Sequence, residues 1–193
     1  MTDDLQKLFG SVARVKLMRL FLFNPKLSFS ADDVVSRARI THDEAKHELG
    51  LLLRAKLISE KNLKGKGVRF ALNLKFEYVR ALQNLLLNAP ARGDDILERL
   101  RGVGPLKLII LSGIFMGEWE GHLDLLIVGD KVKEKLVRDR IRQLEAEIGK
   151  EMRYSLLSTE NLYYRLNMSD KLIRDVLDYP HRVVLDRLNI GIK

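Results

Sequence analysis

The chain has 193 residues, of which 46% are hydrophobic and 31% are charged, a balance typical of globular proteins. This length leaves room for one or two domains. The sequence contains no cysteine, which excludes disulfides, thiolate zinc sites, iron–sulfur clusters and cysteine nucleophiles. No apolar run approaches the roughly 18–20 residues that span a bilayer, and the acidic start is unlike a secretory signal. We therefore expect a soluble, cytoplasmic protein with no membrane partner.

Positive charge is concentrated in the first half of the chain. The 34 Lys and Arg residues outnumber the 26 Asp and Glu residues, which gives a net charge of +8. Up to Pro90 there are 16 basic and 9 acidic residues, and after it 18 and 17, so the two parts carry +7 and +1. A basic part joined to a nearly neutral one indicates a polyanion-binding module with something attached. An ordinary basic surface is the alternative.

The first part is predicted to begin with three helices. Apolar residues at helical spacing predict a helix from Ser11 to about Phe23, which Asn24-Pro25 ends because the residue before proline avoids the helical region. Ser30 is a favourable N-cap for a short second helix that reaches about Ala38. Thr41 opens the third helix with a capping box that pairs it with Glu44.

Two strand-like runs follow, 57–63 and 68–72, and the glycine-bearing segment between them predicts a β-hairpin. Three helices followed by a hairpin with a basic tip resemble the winged helix-turn-helix domain of bacterial or archaeal transcription regulators, over roughly residues 8–75. In that family the third helix enters the DNA major groove, and the hairpin, or wing, approaches the backbone or minor groove. The resemblance therefore implies a set of DNA-binding residues: His42, Asp43, Lys46, His47, Lys61, Lys64, Lys66 and Arg69.

Lysine suits phosphate, and the start of a helix adds backbone donors. Asp43 is unexpected on such a face, although a carboxylate can accept a hydrogen bond from a cytosine amino group. Dimerisation or protein binding by this domain stays open as an alternative.

An apolar stripe predicts another helix over 76–87, which serves either as a dimerisation helix or as a packed linker. Proline, glycine and small residues at 88–93 mark a domain boundary. We therefore predict a winged helix-turn-helix domain at 1–75, a linker helix and linker at 76–93, and a second domain at 94–193.

The second domain is predicted to mix strands and helices. The expected strands are at 106–111, 123–128 and 152–157, and the expected helices are at 96–101, 132–148, 159–166 and 170–177. Asp94 or Asp95 is the expected cap of the first of these helices, and one or two helical turns are expected at 183–188. The predicted fold class is α+β: a winged helix, with three helices and a β-hairpin, followed by a small α/β domain.

The stretch from Ser112 to Val128 resembles the core of polymerase-β-type nucleotidyltransferases, which carry Gly-Ser, a glycine-bearing turn and then Asp-x-Asp. That chemistry needs paired carboxylates to hold divalent metal against a triphosphate. Here His122 stands at the first carboxylate position, only Asp124 remains, and Ser112-Gly113 reverses the usual order. The strand at 152–157 offers no third carboxylate. The comparison implies a vestigial site at Ser112, Gly113, His122 and Asp124, with no catalytic residue, metal or cofactor.

The sequence therefore predicts a DNA-binding transcriptional regulator whose partner is double-stranded DNA. Its second, nucleotidyltransferase-like domain is expected to be inactive and to serve homodimerisation, partner binding, or binding of a small molecule or nucleotide. The lone Asp124 is expected to accept backbone amides of the turn. Two alternatives stay open: a metal-dependent nucleotidyltransferase of the toxin–antitoxin type, and a protein-interaction module that binds no nucleic acid.

Overall fold

The computed structural model describes residues 4–63, 65, 67–87, 95–119 and 121–191. Helices and strands occur in both halves of the described chain, which confirms the α+β class. The chain divides into two compact units, Met1–Pro90 with Arg142–Glu151, and Ala91–Ile141 with Met152–Lys193. The boundary predicted at 88–93 lies outside the described residues, as does Asp94. Within the described part, no helix combines the length and apolar character needed to cross a membrane.

The described residues from 4 to 87 form five helices, of which the second, third and fourth begin at a side-chain cap. They are α1 (Asp4–Phe9), α2 (Val12–Leu22), α3 (Ala31–Ala38), α4 (His42–Arg54) and α5 (Val79–Leu87). The Ser11 hydroxyl accepts from the Arg14 amide at the start of α2. The capping box predicted at Thr41 is confirmed, because its Oγ1 accepts from the Glu44 amide and its own amide donates to the Glu44 carboxylate at 2.8 Å. An equivalent box joins Ser30 to Asp33 at α3. The short helix α1 was not predicted.

The predicted hairpin is confirmed as part of a three-stranded antiparallel sheet. Its strands are β1 (Ser28–Phe29), β2 (Ile58–Leu63) and β3 (Gly67–Leu72), in the order β1-β3-β2. The two-residue strand β1 is too short to recognise from its pattern, and Phe29 stands opposite Phe70 of β3. Phe29 also meets Phe21 of α2 edge to face, at 5.7 Å between ring centroids. The sheet is thereby joined to the core of the unit.

The segment 142–151 contacts α2 at close range. Arg19, which is 2% exposed, donates from Nη1 to the Glu147 carbonyl at 3.1 Å. Asn24 donates to the Gly149 carbonyl at 2.6 Å. Gly149 has φ +81°, and a Cβ there would lie 2.5 Å from the carbonyl carbon of Arg19. A glycine is therefore required at position 149 by the close approach of two backbones as well as by its conformation.

The second unit is built on a four-stranded sheet with the order β6-β5-β4-β7. Its strands are β4 (Leu106–Leu111), β5 (Leu125–Gly129), β6 (Tyr154–Leu157) and β7 (Arg182–Asp186). Its helices are α6 (Ile96–Arg99), α8 (Thr159–Asn167) and α9 (Lys171–Leu177), together with the first part of α7 (Glu134–Ile148), whose residues from Arg142 onward belong to the first unit. Strand β5 runs parallel to β6 and antiparallel to β4. The three predicted strands are confirmed with small shifts at their ends.

The helical turns predicted at 183–188 are wrong, because this segment is strand β7. It pairs antiparallel with β4, with Ile109 opposite Leu185. The run Val183-Val184-Leu185 favours a strand once a partner is available, since β-branched side chains fit a pleated surface. That partner is more than 70 residues away, and a short apolar run alone does not distinguish helix from strand. The predicted cap at Asp95 also differs, because its carboxylate pairs with Arg99 at 2.7 Å and caps no backbone amide.

Both faces of the central strands are buried. Leu108 and Ile110 of β4 and Leu126 of β5 join a cluster that also contains Leu162 of α8 and Ile173 of α9. The alternate positions of the two strands are also fully buried: Ile109, Leu111, Leu125 and Ile127 are 0% exposed. Burial on both faces explains why β4 and β5 appear in the sequence as nearly continuous apolar runs.

Asp130, just after β5, fixes the start of α8. Its carboxylate accepts from the Thr159 amide at 2.9 Å, from the Thr159 hydroxyl at 2.8 Å and from Lys107 Nζ at 2.7 Å. These contacts stabilise the ionised form, led by the Lys107 hydrogen bond, and lower the pKa of Asp130 to about 2.

Candidate functional site

The first candidate site is the outer face of α4. His42, Asp43, Lys46 and His47, here called the α4 strip, are all exposed. The opposite face is buried through Ala45, Glu48, Leu49 and Leu52. Because positions four apart share a helix face, 42 with 46 and 43 with 47 form two adjacent rows. Lys46 and His47 have no hydrogen-bond or ion-pair partner among the described residues. His42 lies 4.0 Å from Asp32, with both side chains exposed.

An ion pair that was not predicted from the sequence holds the buried face of α4 against α2. Glu48, whose side chain is 5% exposed, accepts from Arg14 Nε of α2 at 2.9 Å. Arg14 also donates to the Phe9 carbonyl at 2.7 Å. A glutamate in a helix is ordinarily assigned to the surface by its charge, although helical spacing places Glu48 on the buried face, three residues after Ala45 and four before Leu52.

The turn before α4 adds a cation that sequence analysis also missed. Arg39 is exposed, lies in the left-handed region at φ 51°, and ends α3. It has no ion-pair partner among the residues the structure describes. Beneath it, Lys16 of α2 donates to the Ala38 carbonyl at 3.0 Å, and burial lowers the pKa of this lysine. The turn is therefore held at its base and presents a basic side chain outward.

Of the predicted phosphate-binding residues described on the hairpin, Lys61 is exposed and Arg69 is paired within the unit. Lys61 is exposed on β2, directly opposite Arg69 of β3. Arg69 turns inward, where it donates to Ser28 and, at 2.9 Å, to the Asp33 carboxylate. The Arg69 charge is therefore paired with the Asp33 carboxylate, and these contacts connect the hairpin to β1 and α3. Lys64 and Lys66 lie outside the described residues.

Helix α5 packs on α2 through part of its surface. Gln83 donates to the Leu22 carbonyl at 2.8 Å, and Leu86 is fully buried. Leu85 on α5 and Tyr78 just before it remain 45% and 56% exposed. The predicted helix therefore has both a packed side and an apolar exposed side.

The second candidate site is a cavity of about 450 Å³ in the second unit. It lies where β4 leads into a 3₁₀ turn, Gly113–Met116, and where the chain returns to β5. The cavity is lined by residues of this turn region and by two residues in and after α9: Ser112, Gly113, Glu118, Trp119, Gly121, His122, Leu123, Asp175 and Tyr179. Three of the four predicted vestigial residues, Ser112, Gly113 and His122, are thus brought together.

The fourth vestigial residue, Asp124, does not line the cavity and is 0% exposed. Its Oδ1 accepts from the Ile114 amide at 3.0 Å and from Arg153 Nη2 at 2.8 Å. Its Oδ2 accepts from the Arg153 amide at 2.7 Å and from Arg153 Nε at 3.0 Å. An ionised carboxylate has about four acceptor positions, so this one is fully occupied by protein donors. Arg153 had no sequence signal, because it lies 29 residues away from its partner.

Gly113 makes the arrangement around Asp124 possible. It has φ +51°, and a Cβ at this position would lie 2.2 Å from Asp124 Oδ1 and 2.8 Å from the Leu123 carbonyl oxygen. The neighbouring Ser112 hydroxyl donates to the same Leu123 carbonyl at 2.7 Å. The reversed Ser-Gly order therefore serves the packing of the turn onto β5.

Four polar and aromatic residues that line the cavity were not predicted from the sequence: Glu118, Trp119, Asp175 and Tyr179. Trp119 is the only tryptophan and sits in a glycine-bearing turn, a signal that was available. Asp175 and Tyr179 are more than 50 residues further on, and only the fold brings them to the turn. Among the described residues no group of three or more His, Asp or Glu side chains is placed to hold a metal ion.

Comparison of the chain with protein families, with curated proteins and with solved structures finds no match in any of the three. The functional assignment therefore depends on the two sites described above.

Proposed function

We propose that the protein is a DNA-binding transcriptional regulator. Its first unit would act as a winged helix-turn-helix domain in which α4 enters the major groove and the β2–β3 hairpin is the wing. The exposed α4 strip carries this proposal: a capped helix, buried on one side, presents polar side chains of which Lys46 and His47 have no partner among the described residues. Such side chains suit contacts to base edges and phosphates.

Charge supports the proposal. The first 90 residues carry a net +7, and a basic surface raises both the rate and the affinity of association with a polyanion. Arg39 in the turn and Lys61 on the hairpin flank the strip in sequence and are exposed. Arg69 fits a supporting role, since its pairing with Asp33 and Ser28 connects the wing to α3.

For the second unit we propose a nucleotidyltransferase-like module without catalytic activity, used for ligand binding or assembly. Asp124, the one carboxylate left from the motif, already accepts four hydrogen bonds and offers no free position to a metal. The apolar surface at Tyr78 and Leu85 is available for a homodimer, which would bind a two-fold symmetric duplex.

The wing's contribution is tested by the salt dependence of binding to duplex DNA. Each phosphate contact adds about −0.9 to the slope of log K against log salt concentration. We expect replacement of both Lys64 and Lys66 by alanine to make the slope shallower by up to about 1.8 per protomer. A fluorescence-anisotropy titration at several salt concentrations measures this slope.

The matched control replaces two exposed lysines of the second unit, Lys135 and Lys171, and removes the same charge. We expect that control to leave the slope nearly unchanged. Equal slopes for both double variants would remove the wing from the interface. Failure of the native chain to bind any duplex at low salt would favour the protein-interaction alternative.

A further inference from the structure

We propose that the cavity of the second unit binds an organic cation, an ammonium or guanidinium group carried on an apolar body, and not a nucleoside triphosphate. The inference deepens the ligand-binding role proposed above for this unit. Its test uses no DNA, so the two proposals can fail independently.

The first observation is the charge of the cavity wall. Glu118 and Asp175 both line it, and neither carboxylate has a hydrogen-bond or ion-pair partner among the described residues. The described lining contains no lysine or arginine. Two carboxylates without such partners at one cavity attract a cation and repel a polyphosphate.

The second observation is the chemistry of the remaining wall. Trp119 and Tyr179 provide aromatic surface, and Leu123 provides aliphatic surface. Aromatic faces attract organic cations through their quadrupoles and also bury an apolar body. The volume of about 450 Å³ falls within the range of small-molecule sites. Acidic and aromatic walls together select a cation that has an apolar part.

A bare metal ion fits the same wall poorly. No trio of potential ligands is assembled among the described residues, and Asp124 is occupied by Arg153 and the turn amides. Hydrated divalent cations also gain little from aromatic walls, since they prefer oxygen ligands. The organic cation is therefore the class of ligand that uses both kinds of wall.

Trp119 supplies the readout, because it is the only tryptophan and lines the cavity. The full chain is titrated with three probes of matched skeleton: 2-phenylethylammonium, neutral 2-phenylethanol and anionic 3-phenylpropionate. A fourth titration uses magnesium with ATP. Excitation at the red edge of the indole band separates the Trp119 signal from the phenyl probes. We expect saturable binding of the ammonium probe, at least tenfold tighter than the carboxylate probe and tighter than Mg·ATP.

Variants then test the assigned walls. We expect Glu118→Gln and Asp175→Asn each to weaken binding of the ammonium probe by about threefold to tenfold, because each removes one attractive charge at similar volume. Glu160→Gln, an exposed carboxylate on α8 of the same unit, is the matched control and should leave binding unchanged.

Three results would overturn the proposal: tighter binding of 3-phenylpropionate or Mg·ATP than of the ammonium probe, no saturable Trp119 response to the ammonium probe, or equal losses in all three variants. The probe comparison uses the native chain alone, so it stays decisive even where a variant does not fold.

Discussion

Replacing Asp124 by asparagine tests whether this carboxylate holds the fold or held a metal. Asparagine keeps one oxygen and substitutes an amino group for the other. In the native structure Oδ1 faces the Ile114 amide and Arg153 Nη2, while Oδ2 faces the Arg153 amide and Arg153 Nε. In either orientation of the amide, its NH₂ group would face two donors. Two of the four hydrogen bonds are therefore lost, and the ion pair with Arg153 is lost as well.

The expected cost follows from the burial of the two partners. Hydrogen bonds to charged groups contribute about 1.5–3 kcal/mol each. Asp124 is fully buried, but the Arg153 side chain is 37% exposed and regains water once released, which reduces the loss. We expect the free energy of unfolding of the second unit to fall by about 2–4 kcal/mol. For a unit of this size, that corresponds to a fall in Tm of roughly 10–25 °C.

Trp119 fluorescence followed through urea denaturation reports on the second unit, because this tryptophan belongs to it. We expect Asp124→Asn to lower the urea midpoint without a change in slope, and to leave DNA affinity nearly intact. The α4 strip belongs to the other unit, so binding should not depend on this carboxylate. Glu160→Gln, which removes an exposed carboxylate of the same unit, should leave the midpoint unchanged.

Calorimetry of the native chain with magnesium and each nucleoside triphosphate completes the test, and we expect no magnesium-dependent binding. The structural account would be refuted by tight magnesium-dependent binding that Asp124→Asn abolishes while the urea midpoint stays at its native value. That combination would make Asp124 a metal ligand and would favour the nucleotidyltransferase alternative.

Two further predictions concern groups that hold each unit together. Glu48→Ala should lower the free energy of unfolding of the first unit by about 2–3 kcal/mol, because Arg14 loses a partner that is 5% exposed. Urea unfolding followed by circular dichroism measures this loss. A loss below about 0.5 kcal/mol, the scale of exposed ion pairs, would show that the pair does not contribute to stability. The pKa of Asp130 is lowered from 3.8 to about 2, so its ionised carboxylate contributes to folding stability above pH 4, and this contribution is lost as the pH falls toward 2. Native protein should therefore lose more stability than Asp130→Asn between these pH values, and parallel pH profiles would contradict the assigned contacts.

The parts of the fold that were predictable are those specified by neighbouring residues. Thr41 and Glu44 are three positions apart, so their capping box could be recognised in the sequence, and the structure contains it. The β2–β3 hairpin is also local, since its strands are joined by a short glycine-bearing tip. The prediction of helical turns at 183–188 was wrong because the conformation of β7 is decided by its pairing with β4, which is far away in the chain.

In the candidate sites, too, features set by neighbouring residues were predictable, and features set by distant residues were not. Exposure of Lys46 and His47 follows from helical periodicity and is seen in the structure. Helical spacing places Glu48 on the same face as Ala45 and Leu52, but its partner Arg14 lies 34 residues earlier, so the ion pair is seen only in the folded chain. The inward turn of Arg69 depends on Ser28 and Asp33, which reach it only through the sheet. The walls of the cavity contributed by Asp175 and Tyr179 likewise require the folded chain.

Selection of bound fragments from random duplex DNA, followed by sequencing, tests the proposed DNA-binding function most directly. The native chain should enrich a defined sequence, two-fold symmetric where it binds as a homodimer. Lys46→Ala or His47→Ala should relax the preference at particular base pairs, each contact being worth roughly 1–3 kcal/mol of discrimination. Lys171→Ala, in the second unit, should enrich the same DNA sequence as the native chain. Recovery of no enriched sequence, together with no duplex binding at low salt, would contradict the account.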